Sequence, residues 1–567
     1  MGARHFIVSG HVKRKAFLFI IGALVLSCPI MAGTIDVATI EGGKVKGTTT
    51  DIPGVQVYKG IPFAATTAGK NRWAEPQPVE HWTGIKDCSV WGDQVVQDVN
   101  MNPVGAFWGD EFYFDPSFAP KASESGLNLN VYTPAVKPSD KLPVLVYIHG
   151  GGNNHGHASE MEFYASKLAK KGIIVVTVQY RVSLFGFLAL DELSKESPHG
   201  VSGNYAILDL VKALAWVKTN IAAFGGDPTS VTISGQSAGA FNVTALLRTP
   251  LAKGLFKRAI IQSGFNGLLT DKKAPVYYPL KDQEAACKQA ITAAFGKEMS
   301  LADLRAIPAE DFMTRKTPDG KQSVYDAITN AALAHGFGYT LDGYVFTEQS
   351  VDLTREGALD GIDLIIGGAS DEFTSLFGGE DKTMAPDAFA STMKAAYGDG
   401  YDQAYKPASD IDAYRLFLRS MSDLALQKFI LSAEYVKAHD KANAYVYYFN
   451  HTPPGRDHMF YGSYHSSELW YFFDSLRDKA GQRAWTPDDY AVADMISSYI
   501  ADFVKTGDPN AKGLPEWKQC SASNGAAFMR WSERTSECVT TTPFPLRDKI
   551  NRDAVMSTFG LSDGDLK

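Results

Sequence analysis

No repeat, low-complexity tract or Pro/Gly/Ser-rich linker divides these 567 residues, which argues against a string of independent modules. No apolar run reaches the ~20 residues a membrane-spanning helix needs. The net charge of −8 at pH 7 lacks the basic excess of a nucleic-acid-binding protein. Cysteine is scarce, at five residues, so a disulfide-dense scaffold is excluded. His149, His155 and His157 come without thiolates or carboxylates in a recognised ligand spacing, and no metal site is expected. The glycines after His149 lack the Lys-Ser/Thr ending of a phosphate-gripping loop. What is present is an ordinary globular composition, 45% hydrophobic and 21% charged, sufficient for a large core.

Arg4, Lys13, Arg14 and Lys15 precede the apolar run Ala16 to Leu26 and the small residues Ala32 and Gly33. That order predicts an export signal over residues 1–32, a single domain over 33–567, and a secreted or periplasmic location. An uncleaved anchor and a lipid attachment at Cys28 are the alternatives. Cys88, Cys287, Cys520 and Cys538 would remain. Cys520 and Cys538 flank a predicted strand ending at Trp531, so a local bridge and two separate buried thiols both stay open.

Leu142 to Ile148 is a continuous apolar run ending in glycines, as expected of a buried parallel strand. Ile173 to Val178 predicts the next strand, with helical spacing over Met161 to Ala169 between them. A helix over Leu208 to Ile221 precedes the strand Val231 to Ser234. Further strands are expected at Ala259–Gly264, Leu364–Gly368 and Ala444–Phe449. The alternation predicts an α/β fold with a mostly parallel sheet covered on both faces. Residues 265–361 turn helical and polar, and predict a cap over a pocket.

The chemistry centres on Gly235-Gln236-Ser237-Ala238-Gly239, where a β-branched run meets small, helix-compatible residues. Such a turn strains the serine backbone, and flanking residues without Cβ let neighbouring backbone pass close. A serine hydroxyl is a weak nucleophile at neutral pH, so Ser237 needs a base and an acid that orients the base. Asp371 and Glu372, just beyond a predicted strand end, compete for the acid. His465 is the candidate base; His439, His451 and His458 also follow the acid, and His458 stays open. His149-Gly150-Gly151-Gly152 and the N–H of Ala238 could supply oxyanion donors.

With these blocks, the chain resembles the type-B carboxylesterases, the family that includes bacterial carboxylesterases and the cholinesterases. Gly203-Asn204 through Asp209, Phe224-Gly225-Gly226-Asp227-Pro228, Tyr180-Arg181 and Gln262-Ser263-Gly264 carry the likeness beyond the serine turn. The resemblance implies an α/β-hydrolase fold, a triad of Ser237, Glu372 and His465, and oxyanion donors at Gly151, Gly152 and Ala238. It implies ester hydrolysis through an acyl-enzyme, no cofactor, a small-molecule ester as partner, and neither nucleic-acid binding nor membrane insertion once the signal is removed. Amide, carbamate or feruloyl-type ester cleavage are variants of the same chemistry. Some members of the family are non-catalytic adhesion modules, but they tend to lose triad residues that are all present here.

The chain departs from the family in three places. Cysteines expected near Val95 and at Gly126 are absent, so the loop between them is expected to be more mobile than in bridged relatives. That loop carries Trp108, and an aromatic from it contacts substrate in the cholinesterases, making Trp108 a candidate pocket wall. Asn153 to His157 follow the glycines as a polar lip and point to a substrate group bearing hydroxyls or charge, with Asn153 as a candidate contact. Phe373 stands where a glycine is common.

Overall fold

The computed structural model describes residues 34–567, apart from 266–267, 270–276, 334–337, 350–356, 358, 380, 456–457, 478–482, 511 and 533–534. The expected export signal and Cys28 lie outside the described residues.

Side chains of the central strands alternate between two cores. In Leu142–Ile148, Val144, Val146 and Ile148 enter one core while Leu145 and Tyr147 enter the other. Ile174–Val178 divides the same way, with Ile174, Val176 and Val178 against Val175. Each fully buried aliphatic side chain contributes about 1.5–3 kcal/mol relative to exposure. A one-residue slip would exchange the faces, so register is strongly specified.

The eleven-stranded main sheet comprises β1 (Thr48–Thr49), β2 (Gln56–Pro62), β3 (Asn128–Thr133), β4 (Leu142–Ile148), β5 (Ile174–Val178) and β6 (Gly226–Gln236). It continues with β7 (Arg258–Gln262), β8 (Asp363–Ala369), β9 (Ala444–Phe449), β10 (Phe528–Trp531) and β11 (Ser536–Val539). Their spatial order is β11-β10-β9-β8-β7-β6-β4-β5-β3-β2-β1. The strands from β5 to β10 run parallel. The edges β1 to β3 and β11 are antiparallel.

Helices α1 (Tyr205–Asn220), α2 (Ala238–Arg248) and α4 (Asp410–His439) cover one face, and α5 (Pro487–Thr506) covers the other. Helix α3 (Leu280–Phe295) opens the 265–361 insertion. Met161 to Ala169 is not one helix: a 3-10 turn, Met161–Phe163, is followed by a short helix, Ser166–Lys170.

Cys520 and Cys538 do not bridge; both are free thiols. They lie on opposite faces of the sheet, Cys520 in the core under α4 and Cys538 against the other core. The Cys520 thiol approaches the Ile430 carbonyl at 3.8 Å, whereas Cys538 accepts from the Lys518 N–H at 3.5 Å.

Near positions 95 and 126, hydrogen bonds close the stem of the loop that lacks cysteines. Gln94 N–H donates to Lys121 O at 3.0 Å and Ser123 N–H to Gln94 O at 2.9 Å. A Cβ at Gly126 would lie 2.6 Å from the Val95 nitrogen, so the backbone itself fills the place of a cross-link.

Candidate functional site

Open parallel sheets place ligands beyond the carboxyl ends of their strands, and β4, β6, β7 and β8 all end at chemically equipped residues. Ile148 runs into His149-Gly150-Gly151-Gly152, Gln236 into Ser237, Gln262 into Ser263, and Ala369 into Ser370-Asp371-Glu372.

Ser237 sits between β6 and α2 with φ 56° and ψ −124°, a conformation disfavoured for a residue bearing Cβ. Its N–H donates to Gln262 O at 3.0 Å, and the following helix is anchored on its carbonyl, which accepts from Ala240 and Phe241. A Cβ on Gly235 would strike the Gly239 carbonyl, and one on Gly239 would strike Ile148 O. Both glycines are therefore sterically required.

His465 reaches the same cavity on a loop whose end is tied to β8. Asp371 N–H donates to Ser463 O at 3.0 Å, and Asp371 bridges Tyr464. This tie presents Glu372 to the ring: Glu372 Oε2 lies 2.6 Å from His465 Nδ1, with both side chains buried. Glu372 Oε1 accepts from Ser263 Oγ at 2.6 Å and from Ala369 N–H at 2.7 Å. Between the two competing acids, the geometry gives the histidine contact to Glu372. Asp371 instead pairs with Arg419 at 2.7 Å.

The alternative histidines are held elsewhere. His451 Nε2 contacts Asp489 at 2.7 Å, His439 Nε2 contacts Asp565 O at 2.8 Å, and His458 is exposed beside Gly455 O. Burial holds His149, His155 and His157 neutral, lowered to about 3, about 4 and about 3. His149 stacks on Tyr180 with ring centres 4.3 Å apart, and His157 Nδ1 contacts Ser159 Oγ at 3.0 Å.

Ser237 and His465 border a cavity of about 350 Å³ together with Gly150, Gly151, Gly152 and Trp108. Gly151 and Gly152 adopt φ 91° and 64°, open to them because they lack Cβ. Ala238 starts α2 immediately after Ser237. Trp108, on the short helix Phe107–Phe112, meets the His465 ring edge-on at 6.5 Å and stacks on Phe112 at 5.8 Å.

Asn153 does not contact this cavity, contrary to its expected place on a polar lip. Its backbone takes φ 58°, and its side chain enters the buried interior. There Oδ1 accepts from Asn242 Nδ2 at 2.9 Å and Tyr180 OH at 3.2 Å, while Nδ2 donates to Tyr339 OH at 3.4 Å. The polar residues that do border the cavity include His155, Glu160, Glu162, Asn102 and Gln236.

The insertion contributes little to the wall: among the described residues of 265–361, only Phe265 borders the cavity. Phe265 packs on His465 at 5.2 Å and on Phe373 at 4.8 Å, so Phe373 reaches the site through Phe265. Glu310, Met313 and Thr314 of the insertion line a second cavity of about 570 Å³ that shares Asn102, Tyr113 and His155 with the first.

Several neighbours of the site carried no predicted role. Ser263, with φ 54°, bridges Glu372 and Glu468. Burial, then the nearby Glu372 charge, push Glu468 up to about 8, so it is protonated at neutral pH. The Gln236 amide nitrogen lies 3.3 and 3.4 Å from the two nitrogens of His465, across the ring. Ser263 lies inside the matched Gln262-Ser263-Gly264 and Glu468 follows His465 by three positions, but neither was assigned a role from the sequence.

A serine on a strained strand-to-helix turn, beside a histidine oriented by a carboxylate, defines a serine hydrolase of the α/β-hydrolase fold. The chain belongs to the carboxylesterase family, whose description it matches over residues 34–543. It is 31% identical over 496 residues to the para-nitrobenzyl esterase of Bacillus subtilis (strain 168), covering 85% of this chain and 92% of that protein. It is 33% identical over 445 residues to the fumonisin B1 esterase of Sphingopyxis macrogoltabida, covering 76% of this chain and 74% of that one. A solved structure of the Geobacillus stearothermophilus carboxylesterase at pH 6.2 superposes with a TM-score of 0.70 at 28% identity, covering 91% of this chain and 99% of its own. Among the described residues, no helix is long and apolar enough to cross a membrane.

Proposed function

We propose that Ser237, His465 and Glu372 form the catalytic triad of a serine carboxylesterase that acts on small or polar esters. The 2.6 Å contact between Glu372 Oε2 and His465 Nδ1 carries this reading. It assigns the Nδ1 proton to the Glu372 side and leaves Nε2 as the base. Nε2 takes the Ser237 proton as Oγ attacks the ester carbonyl, and Glu372 stabilises the imidazolium. The N–H groups of Gly151, Gly152 and Ala238 receive the developing oxyanion. His465 then returns the proton to the departing alcohol, and water, deprotonated by the same nitrogen, releases the acid and restores Ser237.

Ser237→Ala tests the assignment. Hydrolysis of nitrophenyl butyrate and covalent labelling by a fluorophosphonate probe should both disappear while the fold persists. Retained turnover in a folded variant refutes the triad. The N-terminal basic and apolar run supports export from the cytoplasm, with 33–567 as one catalytic domain. Sequencing the N terminus of the exported protein checks this, with cleavage near Gly33 expected.

A further inference from the structure

We propose that Asn153, Asn242 and Tyr339 are positioning residues for the ester hydrolysis, a closed hydrogen-bonded ring that sets the separation of the two elements supplying the oxyanion donors. The proposal rests on the esterase reading and adds residues that act on it from outside the cavity, since none of the three borders it. Gly151 and Gly152 lie on the loop after β4, whereas Ala238 opens α2. A developing oxyanion must meet donors from both, so their separation decides how well it is held. Asn153 directly follows Gly152, and Asn242 lies one helical turn beyond Ala238.

The three side chains close on one another. Asn242 Nδ2 donates to Asn153 Oδ1 at 2.9 Å, Asn153 Nδ2 donates to Tyr339 OH at 3.4 Å, and that hydroxyl donates to Asn242 Oδ1 at 2.8 Å. Each group both donates and accepts within the ring, which fixes the two amide orientations and lets the bonds polarise one another. All three residues are buried, where water does not compete. Tyr180 OH, 2.9 Å from His149 O and 3.2 Å from Asn153 Oδ1, joins the ring to the start of the glycine loop. Ser183 N–H donates to Asn153 O at 2.6 Å, so the main chain of Asn153 is held as well. Packing sets the opposite limit: at Gly239, next to Ala238, a Cβ would strike Ile148 O, so α2 already touches the strand end that leads into the loop. Contact there keeps the two elements from closing, and the ring keeps them from parting. Through Tyr339 the 265–361 insertion acts on the reaction from behind the cavity; the Tyr339 ring packs on Phe187 at 5.9 Å, Tyr277 at 6.0 Å and Phe346 at 5.8 Å.

Tyr339→Phe preserves that packing and removes the hydroxyl, and Asn153→Gly removes the amide while leaving the left-handed backbone accessible. For nitrophenyl butyrate, kcat should fall about 10- to 100-fold in each variant, the size expected of displaced oxyanion donors. KM should change less than about twofold. A trifluoromethyl ketone accepts Ser237 Oγ at its carbonyl carbon, the serine proton passing to His465, and so places an oxyanion among the same donors; its inhibition constant should weaken by the same factor as kcat. The pH profile of kcat should stay in place, because the contact between Glu372 and His465 is untouched. Tyr277→Phe is the control: it loses a hydroxyl 3.4 Å from Arg248 in the same aromatic cluster and should keep the wild-type kcat. Unchanged kcat or unchanged ketone inhibition in a folded Tyr339→Phe overturns the positioning role, as does a loss carried by KM, a shifted pH profile or an equal loss in Tyr277→Phe. If Asn153→Gly does not fold, Tyr339→Phe decides alone. A wild-type protein that neither hydrolyses nitrophenyl butyrate nor takes a fluorophosphonate label overturns the esterase reading itself.

Discussion

Replacing Glu372 by glutamine should reverse the tautomer of His465 while hardly changing the volume of the side chain. Oε1 accepts from the Ala369 N–H at 2.7 Å, a backbone donor that cannot rotate away. The glutamine must therefore keep its carbonyl oxygen there and turn its NH2 toward His465 Nδ1, where the 2.6 Å contact now lies. Nδ1 then becomes the acceptor and Nε2 carries the proton, so the ring cannot take the proton of Ser237. A wrong-tautomer substitution of this kind in a serine triad lowers kcat by about 10⁴-fold, or about 5.5 kcal/mol of barrier. Stopped-flow release of nitrophenol from nitrophenyl butyrate, with circular dichroism to check the fold, measures it. Asp371→Asn is the matched control. It breaks the pair with Arg419 at 2.7 Å and should cost stability while leaving the Glu372 contact in place. A loss below tenfold in Glu372→Gln, or an equal loss in both variants, refutes the reasoning.

Glu468 should make stability depend on pH. Its carboxyl is raised from 4.5 to about 8, so between those values the folded chain holds a proton that the unfolded chain releases, and stability falls as pH rises. At about 1.4 kcal/mol per pH unit, the effect has a ceiling of about 5 kcal/mol; Glu468→Gln should widen its Tm advantage over the wild type from pH 5 to pH 8, and a constant difference refutes the assignment. In the loop near Trp108, amide hydrogen exchange should be fast at the exposed residues Val99, Met101 and Val104 and slow at Gln94 and Ser123, whose N–H groups close the stem. Uniform slow exchange across 95–126 would count against the expected mobility of this loop.

The parts legible in the sequence are those written in short stretches of chain. The strand Ala444–Phe449 has its predicted bounds, and α3 (Leu280–Phe295) supplies a helix in the stretch 265–361 that reads as helical. The turn at Ser237 announces itself because both glycines answer to backbone only a few residues away or in the adjacent strand. The antiparallel edge was missed because its period is broken: β2 contains Gly60 at φ 65° and a register shift between Tyr58 and Ile61. Asn153 was misplaced because one left-handed backbone angle turns its side chain from the cavity into the core, and spacing does not encode that angle. The contacts of Glu160 and Glu468 with residues distant in sequence exist only once the sheet has assembled.

The site concentrates ionisable groups, yet burial leaves few of them charged. His149, His155 and His157 are held neutral by desolvation, Glu468 is held protonated by burial and by the neighbouring Glu372, and burial followed by the Glu160 charge raises Glu162 above the usual carboxylate range. The Ser263 and Ala369 donors and the His465 ring surround the oxygens of Glu372. Had Glu468 also been ionised, a second negative charge beside Glu372 would stabilise imidazolium in the resting site and withhold the free base that Ser237 needs. The proton on Glu468 therefore bears on the reaction without touching substrate.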